Sequence, residues 1–341
     1  MFGNTYDPDN DIPDLSGKVY IVTGGTAGIG FGITAHLLQH HPKKIYILSK
    51  KEEHAEDAQK ELKEWGDISK VEWKKCDFED LKQVDEVAKE LAKNLDQLDA
   101  LICNAGLGIG PYNESKDGLD THMQVNHFAH FHLALSLLPI LQNTPNSRLL
   151  MQSSELHRPV LASQAKTWFS SVDEINKDVG AASLYNRTKL AVLMFVLTLT
   201  RYQAAGELGL DPAPDAAPYI LATHPGAVKT DQTDQAVEAY GLVGKVGVGV
   251  VRRFMVDPVK QGCRSMLFAA TGPEVVREKL KGAYIIPDRK TSDVSSVAKD
   301  EELQDQLWKL SEQVLSDKLG SLPYRTRFID PIAKEGVRGA P

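Results

Sequence analysis

The amino-acid sequence predicts a single α/β domain with a doubly wound parallel sheet of about seven strands and helices on both faces. Short apolar strands alternate with amphipathic helices through short links, which is the pattern of βαβ units. A glycine-rich turn follows the first of these strands. No internal repeat and no proline- or serine-rich linker divides the chain, so we expect one domain over residues 18–320.

Short apolar segments bounded by turn residues mark the strands. They are predicted at residues 18–23, 44–48, 71–75, 100–103, 148–152, 219–223 and 282–286. Apolar residues recurring every three or four positions predict helices at residues 29–39, 52–65, 81–94, 120–141, 185–205 and 302–319. The alternation of strands and helices is interrupted by segments 155–184 and 227–257. Both follow the carboxyl end of a predicted strand, where such sheets bind ligands. Residues 1–17 are expected to form an arm and residues 321–341 a tail.

The composition is that of an ordinary globular protein. Of the 341 residues, 42% are hydrophobic and 25% are charged, which argues against a disordered chain or a membrane bundle. The net charge of -7 would repel a phosphate backbone, so we expect no nucleic-acid partner. The three cysteines form no C-x-x-C pair, and this usage suits a reducing compartment.

The N-terminus is acidic and lacks the basic start and apolar stretch of a secretory signal. No uncharged apolar run reaches the roughly 18 to 20 residues that cross a bilayer. We therefore expect a cytoplasmic protein. Residues 239–256 are apolar and glycine-rich, and we interpret them as a lid over a pocket, with a peripheral contact to an internal membrane as the alternative.

The glycine-rich turn joins the first strand to a helix. There, backbone N–H groups and the positive end of the helix dipole can bind a pyrophosphate. The spacing Gly24-x-x-x-Gly28-x-Gly30 differs from the G-x-G-x-x-G form of dinucleotide sites, and a purely structural turn is the alternative. The residues expected to contact a cofactor here are Thr23, Gly24, Gly28, Ile29 and Gly30.

Basic residues follow the second strand, at the position that normally faces the adenosine ribose. An acidic residue there would bind the ribose hydroxyls of NAD, whereas Ser49, Lys50 and Lys51 suit the 2′-phosphate of NADP(H). The alternative is that the lysines only begin a solvated helix. Asp77, after the third strand, is either a partner for the adenine amino group or an ordinary turn residue.

Small residues close the fourth strand. Asn104, Ala105 and Gly106 form a turn that would let a cofactor lie directly against the backbone. Together with the glycine-rich turn, they favour a dinucleotide site at the carboxyl edge of the sheet.

Tyr185 and Lys189 open a long predicted helix, and residues four apart share one helix face. The ordinary pKa of a tyrosine is near ~10, and one opposite charge within about 4 to 6 Å lowers a pKa by roughly 1 to 3 units. With a positive nicotinamide nearby, Tyr185 is a candidate acid or base. Ser154 follows a buried strand and is the candidate that polarises a carbonyl oxygen, with Ser153 as the alternative. A Y-x-x-x-K string alone is also common by chance.

These strings, in this order, resemble the short-chain dehydrogenase/reductase superfamily over residues 18–286. The resemblance implies a Rossmann fold and catalysis by Asn126, Ser154, Tyr185 and Lys189. In that family the tyrosine exchanges a proton with the substrate oxygen, and the lysine lowers the tyrosine pKa and binds the nicotinamide ribose. The serine holds the carbonyl oxygen, and the asparagine anchors a water in a proton relay.

Pro225, Gly226 and Thr230 match the family's P-G turn and its following threonine, which by resemblance contacts the nicotinamide carboxamide. The stretches V-N-H-F-A-H-F and T-H-P-G-A-V-K-T resemble the retinol-dehydrogenase-like and protochlorophyllide-reductase-like branch. That branch usually has serine where this chain has Thr188 and arginine where it has Lys51. The resemblance also implies a homodimer or homotetramer.

The expected function is reversible hydride transfer between NADP(H) and a carbonyl or alcohol carbon, with reduction favoured. The apolar excursions favour a lipophilic ketone, aldehyde or enone, such as a steroid, retinoid, polyketide or other secondary metabolite. A non-catalytic NADP(H)-sensing regulatory or scaffold protein is the main alternative, and a nucleotide-sugar epimerase or dehydratase is the second. No metal is expected, because His127, His130 and His132 do not share one helix face.

Overall fold

The computed structural model of the protein describes residues 5–228 and 257–329. Within them, eight strands form one sheet in the order β3-β2-β1-β4-β5-β6-β7-β8. The strands are β1 (Val19–Thr23), β2 (Lys44–Ser49), β3 (Val71–Lys75), β4 (Ala100–Cys103), β5 (Arg148–Gln152), β6 (Tyr219–Thr223), β7 (Tyr284–Ile286) and β8 (Lys290–Ser292).

The helices lie between and after these strands. In chain order they are α1 (Pro8–Asp11), α2 (Gly28–Gln39), α3 (Glu52–Leu62), α4 (Leu81–Asn94), α5 (Thr121–Met123), a π-helix (Gln124–Phe128), α6 (Ala129–Asn143), α7 (Ala162–Trp168), α8 (Val172–Ile175), α9 (Ala181–Ala204), a second π-helix (Pro258–Gly262), α10 (Arg264–Thr271), α11 (Glu274–Arg277) and α12 (Glu301–Leu319).

The strands from β1 to β7 are parallel, and β1 pairs with both β2 and β4. The predicted doubly wound parallel sheet is therefore confirmed, and the strand order reverses at β1, where such folds bind ligands. The sheet has one strand more than expected. β8 pairs antiparallel with β7, and its three residues, K-T-S, carry no apolar alternation by which the sequence could mark it.

Helices cover both faces of the sheet, which explains why β1, β5 and β6 are buried at every position. One core cluster joins the sheet to α4, α6, α9 and α12. A second cluster joins the opposite face to α2, α3 and α10. The sheet thus lies between two apolar layers that cover its faces. A ligand site can therefore form only at an edge, such as the one at the carboxyl ends of the strands.

The segments expected to be an arm and a tail both contact the domain. In the arm, Tyr6 is only 1% exposed, and its hydroxyl lies 2.7 Å from that of Thr271. In the tail, the backbone N–H groups of Arg327 and Phe328 donate to the Glu312 carboxylate at 2.7 and 2.8 Å. The domain limits at residues 18 and 320 stay predictions.

Two predicted helices differ from those observed. The helix expected at residues 120–141 is interrupted by the first π-helix, and α9 begins at Ala181 rather than at Tyr185. The excursion at 155–184 folds into a short 3-10 turn, α7 and α8. Most of the second excursion, including residues 239–256, lies outside the described residues. In the described part of the chain, no helix is long and apolar enough to span a membrane.

Candidate active site

A cavity of about 270 Å³ opens at the carboxyl ends of β1, β4, β5 and β6. It brings together the glycine-rich turn, the turn after β4 and the Y-x-x-x-K pair. The residues that line it are Gly24, Ala27, Gly28, Ile29, Asn104, Ala105, Gly106, Gln152, Ser153, Tyr185, Lys189 and Pro225.

The glycine-rich turn is packed so closely at Gly30 that no larger residue fits there. A Cβ on Gly30 would lie 2.1 Å from the Gly24 carbonyl oxygen and 2.6 Å from Nδ2 of Asn104. Gly28 begins α2 with a φ of 53°, a conformation that favours glycine. The apolar Ala27 precedes the helix, so the first turn presents its N–H groups to an anionic ligand. These features fit a dinucleotide pyrophosphate.

Thr23 ties the ends of β1 and β4 together beneath the cavity. Its hydroxyl oxygen accepts the backbone N–H groups of Asn104 and Ala105, each at 2.9 Å. The Asn104 amide returns a hydrogen bond to the Thr23 carbonyl at 3.1 Å. We call Thr23, Asn104 and Ala105 the cofactor floor, because they hold the backbone against which a dinucleotide would lie.

Tyr185 and Lys189 face the cavity from the first turns of α9. The Lys189 ammonium lies 5.3 Å from the centre of the Tyr185 ring and donates to the Gln152 carbonyl at 3.0 Å. Burial lowers the pKa of Lys189 to about 8 and raises the pKa of Tyr185 to about 12. A hydrogen bond with the Ser154 hydroxyl acts in the opposite direction on the pKa of Tyr185.

The two serines after β5 have different surroundings. The Ser154 hydroxyl accepts the Leu156 N–H at 3.2 Å, and its interaction with the Tyr185 phenol acts to lower the pKa of that phenol. The Ser153 hydroxyl instead donates to the Lys189 carbonyl at 3.0 Å, and the residue is 1% exposed. Ser154 therefore lies beside the phenol, whereas the hydroxyl of Ser153 fixes the backbone of α9.

Asn126 lies in the π-helix, and its amide is fully engaged. Its Oδ1 accepts the Leu107 N–H at 2.7 Å, and its Nδ2 donates to the Leu107 carbonyl at 3.0 Å and to the Thr188 hydroxyl at 2.9 Å. The contact with Thr188 was not predicted, because Thr188 stood out in the sequence only as a departure from serine. Threonine and serine both carry a hydroxyl, and this shared group could have indicated a hydrogen-bonding role at position 188. A Cβ on Gly106 would meet Asn126 Oδ1 at 2.9 Å and Lys189 Nζ at 3.9 Å.

Three of the residues expected at the adenosine end, Ser49, Lys50 and Asp77, already have polar partners. The Lys50 ammonium lies 3.1 Å from an Asp77 carboxylate oxygen and 3.3 Å from one of Glu79. The Ser49 hydroxyl accepts the Trp73 indole N–H at 2.8 Å. The contacts of Lys50 with Asp77 and Glu79 were not predicted, because these residues come together only when β2 and β3 pair. Lys51 precedes α3 and is exposed.

The turn after β6 adds one wall of the cavity. Pro225 lines it, and Gly226 has a φ of 83°, a conformation that favours glycine. Thr230 lies outside the described residues, and its contact with a nicotinamide stays a prediction.

The three histidines near Asn126 have separate partners. His127 bonds with the Ser311 hydroxyl at 2.8 Å, His130 with the Thr23 hydroxyl at 2.9 Å, and His132 with the Asp85 carboxylate at 3.0 Å. Among the described residues, no group of three His, Cys, Asp or Glu side chains is placed to hold a metal ion.

Comparisons with known proteins assign the family. A family model described as short chain dehydrogenase matches residues 18–164. A Neurospora crassa protein, named as the mitochondrial oxidoreductase bli-4, is 34% identical over 91% of this chain and 74% of its own length. The chain belongs to the short-chain dehydrogenase family. The short chain dehydrogenase/reductase dpchH of Colletotrichum higginsianum is 30% identical over 91% of this chain and 78% of its own. The human WW domain-containing oxidoreductase is 31% identical over 90% of this chain and 70% of its own length.

Solved structures show the same fold. L-sorbose reductase from Gluconobacter frateurii, complexed with NADPH and L-sorbose, superposes with a TM-score of 0.58 at 18% identity, over 83% of this chain and 99% of that one. An NADPH-bound short chain oxidoreductase from Pseudomonas aeruginosa gives 0.59 at 20% identity, over 83% and 100%. The predicted family is thus confirmed, and the narrower retinol-dehydrogenase-like branch stays a prediction.

Proposed function

We propose that this short-chain oxidoreductase uses NADP(H) to interconvert a carbonyl and an alcohol. The observation that carries the proposal is the arrangement of Tyr185, whose ring lies 5.3 Å from the ammonium of Lys189 in the cavity beside the glycine-rich turn, with the Ser154 hydroxyl acting on the pKa of its phenol. A bound nicotinamide would supply or accept the hydride, and the protein must then position the substrate oxygen and move one proton.

Tyr185 is the proton donor in the reductive direction. Because burial raises the pKa of its phenol to about 12, the phenol is protonated at neutral pH and can deliver a proton to the substrate oxygen. Ser154 is placed to bond with the same oxygen as charge develops on it. Lys189 uses one N–H on the Gln152 carbonyl and has two others with which to hold the nicotinamide ribose.

Ser49, Lys50 and Lys51 support NADP(H) over NAD(H). Two ammonium groups follow β2, where a 2′-phosphate would lie. Asp77 and Glu79 already hold Lys50, so a phosphate would have to share its ammonium with these carboxylates, whereas Lys51 is exposed. We expect the Lys51→Ala variant to lose at least tenfold in the ratio of NADPH to NADH affinity, measured by fluorescence titration. An unchanged ratio would contradict the phosphate role.

A lipophilic ketone, aldehyde or enone is the proposed substrate class, such as a steroid, retinoid, polyketide or other secondary metabolite. Two leucines on the segment after Ser154 support it, because Leu156 is 37% and Leu161 is 62% exposed in this structure. Covering these side chains with an apolar ligand would remove apolar surface from water, which is favourable. We also propose a cytoplasmic homodimer or homotetramer, with residues 239–256 as a lid or a peripheral membrane contact.

The first test is incubation of the purified protein with a metabolite extract and NADPH carrying deuterium at the transferred position, followed by mass spectrometry. A labelled alcohol with the wild type, and none with Tyr185→Phe, is the expected result. The variant should still bind NADPH, because the phenol oxygen is not needed for the glycine-rich turn. If only small polar carbonyls were labelled, the proposal of a lipophilic substrate would be wrong.

The same experiment separates the proposal from its main alternative. A protein that binds NADPH but labels no product in either direction would be the non-catalytic sensor or scaffold. Assaying oxidation as well, with NADP⁺ and the corresponding alcohols, prevents a preference for the oxidative direction from being mistaken for inactivity. Failure to bind either nucleotide would overturn both functions.

A further inference from the structure

His130 connects the cofactor floor to the π-helix that carries Asn126. The Thr23 hydroxyl accepts two backbone N–H groups, from Asn104 and Ala105. A hydroxyl has two acceptor lone pairs and one proton. Its single proton is therefore left for Nε2 of His130, at 2.9 Å. This contact requires Nε2 to be the unprotonated nitrogen of the ring.

With Nε2 accepting, the neutral ring must carry its proton on Nδ1. Hydrogen bonding with the backbone of Val125 and Asn126 acts to raise the pKa of His130, against the larger effect of burial. Both of these residues belong to the π-helix, a local irregularity that is frequent at functional sites. The imidazole thus bonds with the floor on one side and with the backbone of the π-helix on the other.

The surroundings keep this ring neutral and in place. His130 is 1% exposed and stacks on Phe78, with ring centres 4.6 Å apart and an angle of 28°. Burial lowers the pKa of His130 to about 3, and the nearby Lys189 ammonium acts in the same direction. The ring is therefore uncharged wherever the protein is folded near neutral pH, and both hydrogen bonds persist.

The position of the π-helix decides where the reacting groups meet. The Asn126 amide holds the Leu107 backbone and the Thr188 hydroxyl, and a Cβ on Gly106 would touch both Asn126 and Lys189. A shift of this turn would move Asn126 relative to the Lys189 ammonium. A shift of about 1 Å in such positioning can cost about 10²-fold in rate.

We propose that His130 is a positioning residue. Its neutral ring joins the cofactor floor to the π-helix by hydrogen bonds and so fixes the positions of Asn126 and Lys189 relative to that floor. This hydrogen-bonded bridge is itself a property of the folded chain. Its catalytic consequence rests on the proposed function, since it assumes that Lys189 and Asn126 act on a bound cofactor and substrate.

The tautomer is the first test, because it requires neither cofactor nor substrate. Histidine labelled with ¹⁵N should show one ring signal with the proton on Nδ1, unchanged between pH 6 and 8 and absent in His130→Phe. A ring that carries its proton on Nε2, or that titrates near pH 6.5, would overturn the bridge. The outcome of this test does not depend on whether the protein turns over a carbonyl.

The second test compares His130→Phe with His127→Phe. Both histidines lie within one helical turn, and each is 1% exposed. Each makes one hydrogen bond to a hydroxyl, His130 to that of Thr23 and His127 to that of Ser311 on α12. We expect His130→Phe to weaken NADPH binding about tenfold and to speed amide hydrogen exchange in residues 104–107 and 124–128. His127→Phe should do neither at a similar loss of thermal stability.

His130→Gln completes the comparison, because its amide oxygen can take the place of Nε2 as the acceptor for Thr23. NADPH affinity should return to within about threefold of the wild type. If His130→Phe and His127→Phe weaken NADPH equally, or if His130→Gln is no better than His130→Phe, the residue only fills the core. If the wild type itself fails to bind NADPH, the proposed function fails and the tautomer result remains valid.

Discussion

Replacing Lys189 by methionine should make the protein more stable while abolishing its activity. Lys189 is 6% exposed, and burial lowers its pKa from 10.5 to about 8. At 1.36 kcal/mol for each pKa unit, the folded protein spends roughly 3 kcal/mol to keep this ammonium protonated at pH 7. Methionine keeps the aliphatic volume and removes the charge. Loss of the hydrogen bond to the Gln152 carbonyl costs about 1 kcal/mol, so the expected net gain is about 2 kcal/mol.

The gain should depend on pH in a defined direction. Below pH 8 the lysine is protonated in both the folded and the unfolded chain, and the full penalty applies. Between about pH 8 and 10.5 the folded protein releases the proton before the unfolded chain does, so the penalty fades as the pH rises. The advantage of Lys189→Met should therefore be largest at pH 6 to 7 and fall below about 1 kcal/mol at pH 9.5.

Urea unfolding followed by circular dichroism at pH 6, 7 and 9.5 measures this advantage without any cofactor. For a chain of this length, a gain of about 2 kcal/mol corresponds to roughly 3 °C in Tm. Lys93→Met, at an exposed position of α4, is the matched control and should change neither stability nor its pH dependence. A less stable Lys189→Met at pH 7, or a gain that does not fall by pH 9.5, would refute the reasoning.

Three further outcomes follow from the same geometry. Ser154→Ala should lower kcat about 100-fold. Ser153→Ala should lower the free energy of unfolding by about 1 kcal/mol and leave kcat within a few fold of the wild type. Equal effects of the two variants on kcat would contradict the assignment. Gly30→Ala should abolish NADPH binding in a fluorescence titration, because its Cβ would lie 2.1 Å from a carbonyl oxygen; affinity within tenfold of the wild type would show that the turn adapts. Arg187→Met leaves the Asp120 carboxylate, which it contacts at 3.1 Å, buried without its partner, so unfolding in urea should show a loss of about 3–5 kcal/mol. A loss below about 1 kcal/mol would mean that water reaches the pair.

Most of the sheet could be predicted because its signal is local. A strand covered on both faces is a short apolar run, and the residues of β1, β5 and β6 show this without their neighbours. The edge strand β8 could not be found in this way, because it is short, polar and defined only by pairing with β7. The π-helix was missed for a related reason, since the extra residue in its turn leaves the apolar pattern of the predicted helix almost unchanged.

The candidate site was predictable as a set of residues and much less as a set of contacts. Tyr185 and Lys189 lie one helical turn apart, so their proximity follows from the spacing alone. The pairing of Lys50 with Asp77 does not, because the two residues end different strands and meet only in the register of β2 and β3. The bonds from Thr188 to Asn126 and from His130 to Thr23 likewise join residues that are 62 and 107 positions apart.

The sequence by itself determined the α/β class, the glycine-rich turn and the identities of the phenol, ammonium and hydroxyl groups, because each depends on neighbours within one element or one turn. Only the tertiary structure decided which serine lies beside Tyr185, how far burial moves the pKa values of Tyr185 and Lys189, and which groups hold Asn126. Those properties depend on desolvation and on hydrogen bonds between distant segments, and no local pattern of residues encodes either.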